Sequence, residues 1–265
     1  MTKQSGCYNQ RGRIGHNCNT SLLLKNYVGK TMEAEKDALK EKLARACRML
    51  EMVGLIDFSG HITGRLPGSN TFYIHPGPLA RSEVKPEDMI EVDLEGKALP
   101  GQGKIPDETP IHAAVYQHRE DVNSVIHMHP HYSIIPGIVG RELLTVCHHG
   151  SIFGAVVPLY PDSQKIVNFV QANLMADTLD KGRAVVMKGH GAVVAEATIE
   201  AVFLAALHLE ENARLLVEAA AIGEPIPLPV EELIRAASST FQPTSIAKSW
   251  SYFKEKAQKQ GVFWD

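Results

Sequence analysis

Cysteine is scarce and unpatterned. Cys7, Cys18, Cys47 and Cys147 are the only four, and none forms a CxxC pair. That excludes a disulfide framework and a thiolate zinc knuckle, and predicts free thiols in a reducing, cytoplasmic setting. Long apolar runs are missing as well: none approaches the ~20 residues of a membrane span. Neither sign of charge dominates; a net charge of −3 gives no footprint for nucleic acid or an anionic membrane. There is no internal repeat, no low-complexity tract, and no apolar core followed by a small-residue cleavage site, which argues against a secretory signal. Acid is absent from the start of the chain until Glu33, while Lys3, Arg11, Arg13, Lys25 and Lys30 precede it. Residues 1–32 are therefore expected to be a poorly ordered arm.

What is present is an ordinary globular composition, 44% hydrophobic and 22% charged over 265 residues. A chain of that length buries roughly three quarters of its unfolded surface. No linker interrupts it, so a single α/β domain is expected over 33–265, closing in an aromatic tail.

Along that domain the apolar period changes repeatedly. Leu39, Leu43, Ala46, Leu50 and Val53 recur at helical spacing, and Gly54 follows in the usual stop position. Two strands meet at the turn 67–70, with His61 and His75 at the ends of the hairpin. A short strand over 89–92 leads to the turn 93–96. Thr109 and Pro110 read as a cap and first-turn proline of a helix ending near Arg119. A strand over 122–129 follows, then a short helix in 132–139, an edge strand over 156–159 and an amphipathic helix over 163–174. Strands over 184–187 and 192–195 flank KGHG, and a long helix covers 198–221.

Histidine is abundant, with 12 in the chain. His16, His118 and His208 read as structural or surface groups. His127 and His129 are different. Residues two apart on a strand share a face, so two imidazoles stand side by side there, with Ile126 and Met128 turned the other way. His190 lies between Gly189 and Gly191, where small neighbours let the backbone approach closely. Three imidazoles with an open position form a catalytic rather than a structural pattern for zinc, and imidazole also suits manganese, iron and cobalt. Glu108, just ahead of a helix, is either a further ligand, a general base, or a charge favoured by the helix dipole.

These blocks, GHITGR at 60–65, PDE at 106–108 with His112 beyond it, DVNSVIHMHP at 121–130 and KGHG at 188–191, resemble the class II aldolase/adducin family over about residues 36–221. The resemblance implies a three-layer α/β/α domain with a mixed, largely antiparallel central sheet. It also implies a homotetramer with active sites at subunit boundaries and a small-molecule substrate. One divalent ion per subunit is implied at His127, His129 and His190, zinc first, with Glu108 as the catalytic glutamate. The family's sugar-phosphate aldolases cup phosphate where this chain has His61, Gly77-Pro78 and Pro106-Asp107. Proline donates no N–H and an aspartate repels a dianion. A non-phosphorylated substrate is therefore expected. The tyrosine that those aldolases lend across the interface falls near His148 or His149, and Tyr252 is expected to close the site. The pattern is similar to the family's decarboxylases of hydroxylated aromatic acids, working through a metal-stabilised enolate. Aldol cleavage of a sugar phosphate, a dehydratase or epimerase on the same scaffold, and an adducin-like, non-catalytic assembly module are the alternatives.

Overall fold

The computed structural model describes residues 18–264, with side chains from residue 31. The expected arm therefore lies partly outside the described residues, over 1–17. The remainder of it is helical, because α1 runs Cys18–Met52 and starts well before Glu33. The chain divides into a first unit, Met1–Asp37, and a compact second unit, Ala38–Asp265. The sheet and the site belong wholly to the second.

The α1 stripe lands as its spacing requires: Leu43, Ala46 and Leu50 are fully buried. Gly54 ends the helix at φ 74°, and the Leu55 N–H returns to the Leu50 carbonyl at 3.0 Å. The strands β1 (His61–Gly64), β2 (Thr71–Ile74) and β3 (Ile90–Asp93) then form an antiparallel meander. The helix α2 (Thr109–His118) precedes β4 (Ser124–Met128). Its N-cap position is Glu108 rather than Thr109, whose hydroxyl instead donates to the Pro106 carbonyl at 2.6 Å.

A short helix, α3 (Ile135–Ile138), follows. The single edge strand expected over 156–159 is divided by Pro158, which cannot donate to a ladder. Its halves go to different sheets. β6 (Val156–Val157) pairs with β5 (Leu143–Leu144), and β7 (Leu159–Tyr160) forms the edge of the main sheet. The helix expected over 163–174 begins later, as α4 (Phe169–Leu179), because Asn168 caps it by accepting the Gln171 N–H. Residues 163–167 remain a loop, with consequences for the site.

The central strands β8 (Ala184–Met187) and β9 (Gly191–Glu196) lead into α5 (Ile199–Ala220), capped by Thr198. The helices α6 (Val230–Thr240) and α7 (Pro243–Lys259) complete the unit. The main sheet has seven strands in the order β3-β2-β1-β4-β9-β8-β7, antiparallel except at β7–β8. Leu43, Met49, Phe203 and Leu209 from α1 and α5 pack with Ile62, Ile126 and Val194 on one face. Ile111 and Val115 from α2 and Met175 from α4 pack with Phe72, Val125 and Val193 on the other. This is the three-layer α/β/α arrangement. No helix among the described residues is long and apolar enough to cross a membrane.

Candidate metal centre and active site

Strand alternation decides which way β4 points its histidines. Ile126 and Met128 enter one core and Val125 the other, so His127 shares the α2 side of the sheet. His129 follows just past the strand end. β9 runs antiparallel beside β4 and pairs Met128 with Ala192. The turn before β9 thereby brings His190 to the same end of the sheet. Ring centroids of His127, His129 and His190 lie 4.8–5.3 Å apart. Gly191 makes this approach possible: a Cβ there would stand 2.4 Å from the Met128 carbonyl oxygen and 2.9 Å from the His129 ring.

Glu108 reaches the same point from the start of α2. Its Oε2 is 3.5 Å from His127 Nε2 and its Oε1 is 3.5 Å from His190 Nε2. One ligand atom from each of Glu108, His127, His129 and His190 falls within 4.8 Å of the others. The loop that replaces the expected start of α4 fixes the carboxylate, because the Ile166 N–H donates to Oε1 at 3.1 Å. Burial alone would raise the Glu108 carboxyl. The neighbouring His127, the Ile166 N–H and His190 outweigh it and bring the pKa down to about 2. Glu108 is thus an anion at neutral pH. Burial, then neighbouring imidazole charge, lowers His129 to about 4 and also lowers His190.

The imidazoles are oriented from behind. Ser59 Oγ donates to Asp57 Oδ1 at 2.9 Å and therefore accepts from His129 Nδ1, also at 2.9 Å. His127 Nδ1 donates to the Ala192 carbonyl at 3.2 Å. Both rings are left with an Nε2 lone pair facing the cluster. His127 Nε2 and His190 Nδ1 are buried without a hydrogen-bond partner. A buried polar nitrogen left in that state is costly. Neutral imidazoles with second nitrogens held by a carbonyl and a hydroxyl are the donor set a divalent cation requires. The residues fit a metal, which His127, His129 and His190 would hold with Glu108 beside it.

A cleft of about 490 Å³ opens onto this cluster, lined in part by Ser59, His61, Gly77, Lys104, Asp107 and Lys165. His61 is there because β1 pairs with β4 in a register that sets it opposite His127, their rings 5.2 Å apart. His75 is its neighbour at 6.2 Å, as the hairpin predicts. Two details alter the expected pocket. The Gly77 N–H is taken by the Lys104 carbonyl at 2.9 Å, so it offers no donor to a ligand. Asp107 does not stand alone, because Lys165 Nζ lies 3.5 Å from its carboxylate.

His148, His149 and Tyr252 are not brought to the metal cluster of their own chain. They line a second cleft of about 620 Å³ that shares no lining residue with the first. The aromatic tail explains this. Trp250 and Phe253 pack edge-on against Phe203 of α5, at 5.8 and 5.3 Å, which turns Tyr252 outward, 61% exposed. His149 stacks on His208 at 4.5 Å, and His148 Nε2 meets Thr240 Oγ1 at 2.6 Å. Sequence reasoning missed Ser59 and Ile166. Ser59 stands next to the GHITGR block, but its pairing with His129 depends on strand register.

The geometry defines a site of three histidines and a carboxylate suited to a divalent metal, on a three-layer α/β/α scaffold. Residues 41–217 match the family profile described as Class II Aldolase and Adducin N-terminal domain. The chain is 30% identical over 210 residues to a 3,4-dihydroxyphthalate decarboxylase from Terrabacter sp., covering 74% of this chain and 87% of that protein. It is 29% identical over 160 residues to a 5-deoxy-D-ribulose 1-phosphate aldolase from Bacillus thuringiensis serovar kurstaki, covering 60% of this chain and 75% of that one. Its fold is similar to the L-fuculose 1-phosphate aldolase of Glaciozyma antarctica, with a TM-score of 0.76 and 25% identity, covering 86% of this chain and 92% of that one. The chain belongs to the class II aldolase/adducin family and is a lyase of the class II aldolase type.

Proposed function

We propose that the chain decarboxylates a non-phosphorylated hydroxy-aromatic or keto acid, using one divalent cation at His127, His129 and His190, zinc first. The observation that carries this is the mouth of the pocket. Gly77 gives its N–H to Lys104, and Pro78 and Pro106 have none, so these three positions offer a phosphate no backbone donor. Similarity to dihydroxyphthalate decarboxylases supports the same reading.

When bound, the cation supplies Lewis-acid stabilisation of the negative charge left as the carbon–carbon bond parts. The chain's own residues do the rest. Glu108 is held as an anion between His127 and His190, where it takes the proton of a substrate hydroxyl and returns it to the carbon from which CO₂ departs. Ile166 keeps its carboxylate from rotating away. His61, beside His127, lines the same cleft, and Asp107 with Lys165 stands at the rim.

A second reading, aldol cleavage of a sugar phosphate, is favoured by Lys104 and Lys165, which offer a phosphate two ammonium groups in place of amides. CO₂ release from a panel of hydroxy-aromatic and β-keto acids tests the first. Turnover of a ketose phosphate with none of those acids would replace it by the second.

We also propose a homotetramer in which His148, His149 and Tyr252 of one subunit complete the metal cleft of another, since they do not reach their own. An assembly module without catalysis is disfavoured by the complete ligand set.

A further inference from the structure

Behind His61 lies a run of buried polar side chains that the reaction above does not use. His61 Nδ1 is 2.8 Å from His112 Nε2, His112 Nδ1 is 2.8 Å from Thr63 Oγ1, and Thr63 Oγ1 is 2.8 Å from the Tyr116 hydroxyl. All four residues are at most 5% exposed. They come from β1 and α2, at the α2 face of the sheet, and only the His61 end opens to the substrate cleft. Polar groups this deep are held in place at a cost unless each finds its partner.

The distances give the run a direction. Thr63 has one proton and three candidate acceptors: His112 Nδ1 and the Tyr116 phenol oxygen, each at 2.8 Å, and the Val125 carbonyl at 3.4 Å. The phenol is the stronger acid of its pair and donates to Thr63, and the nearer of the two remaining acceptors, His112 Nδ1, takes the Thr63 proton. Thr63 is then an acceptor for the Tyr116 phenol. With Nδ1 accepting, neutral His112 carries its proton on Nε2 and gives it to His61 Nδ1. His61 in turn carries its proton on Nε2, the nitrogen left for the cleft. Each link donates toward the pocket, and such a series polarises its last member.

We propose that Tyr116, Thr63 and His112 are positioning residues that lock His61 as a hydrogen-bond donor to an anionic oxygen of the substrate. The assignment rests on the cleft being the substrate site, as above, but not on which bond breaks there. No member changes charge in this role. An imidazole N–H so directed favours a carboxylate or phenolate oxygen over a neutral acceptor. A substrate that placed a donor there would leave both groups unpaired. Charge that builds on the accepting oxygen strengthens the contact.

The test is Thr63→Val, which keeps the side chain's shape and breaks the run at its centre, studied in metal-loaded protein. Nitrogen-15 NMR of ring-labelled histidine reads the His61 tautomer directly, and titration with phthalate reads anion affinity without turnover. The expected result is an Nε2–H tautomer in the parent that becomes mixed or Nδ1–H in the variant. Phthalate affinity should fall about tenfold, with metal content unchanged. If Thr63→Val does not fold, Tyr116→Phe removes one hydroxyl and is expected to shift the tautomer balance and the affinity in the same sense. An unaltered His61 tautomer and unaltered phthalate affinity, with only a lower Tm, would overturn the assignment and leave the run structural. A changed tautomer alongside failure of every decarboxylation assay would leave it standing and remove the reaction proposed above instead.

Discussion

At the scale of single residues, the site is a set of lone pairs aimed by their neighbours. His129 points Nε2 inward because Ser59 accepts at Nδ1, and Ser59 does so because its own proton goes to Asp57. Ser59→Ala should therefore weaken metal affinity about 10- to 100-fold while leaving all four candidate ligands in place; competition with a zinc chelator measures it. Glu108→Gln keeps the size and loses the charge. Turnover should fall by roughly 10²- to 10⁴-fold with the metal largely retained, checked by kcat beside metal content. His127, His129 and His190 are legible in the sequence, because a spacing of two on an apolar run and a glycine on each side have local meanings. Ser59, Ile166 and the pairing of His61 with His112 are not. Each depends on which strand lies beside which, or on a loop crossing a helix start.

At the scale of elements, the pairing of β4 with β9 carries the site, and Gly191 is the place where it is tightest. In Gly191→Ala the added Cβ meets a backbone oxygen at 2.4 Å, which no side-chain rotation relieves. The strands must part, and stability should fall by about 1–3 kcal/mol. Metal binding should fall with it, because the ends of both strands bear ligands; urea unfolding and metal content of the same preparation check both. The strands are largely readable, since their apolar alternation or continuous burial is written locally. The start of α4 is not. Ile166 and Val167 carry apolar spacing that suits a helix, but Asn168 offers a side-chain cap to Gln171 and sets the start there. Ile166 is buried and its N–H holds Glu108, so its apolar character belongs to the loop. Within one chain, Trp250 and Phe253 of the aromatic tail pack on α5, and Tyr252 does not line the metal cleft.

At the scale of the whole molecule, buried neutral imidazoles make stability depend on pH. Burial and the Arg81 charge lower His75 to about 3, and burial with His149 and His148 lowers His208 to about 4. In the unfolded chain these groups take up protons below about pH 6.5. The folded state refuses them, so their contribution is complete above that pH and is lost as pH falls toward 4 and then 3. Each group removes on the order of 1.4 kcal/mol per pH unit within its window. The urea midpoint should therefore drop steadily from pH 7 to pH 4.5 in metal-stripped protein; a flat profile would contradict the burial described. The second whole-molecule claim is the shared site. Hybrids assembled from Glu108→Gln and Tyr252→Phe subunits should recover activity that neither parent shows, if Tyr252 works on the neighbouring cleft. No recovery in a verified mixed oligomer would assign Tyr252 to another role.

The most direct test of the account is metal content. The purified chain, equilibrated with zinc and dialysed, should carry about one dication per subunit by mass spectrometry. Separate His127→Ala, His129→Ala and His190→Ala variants, each folded by circular dichroism, should carry far less, and decarboxylation should be lost in step. A parent without bound metal, or variants that bind it as well as the parent, would contradict the account.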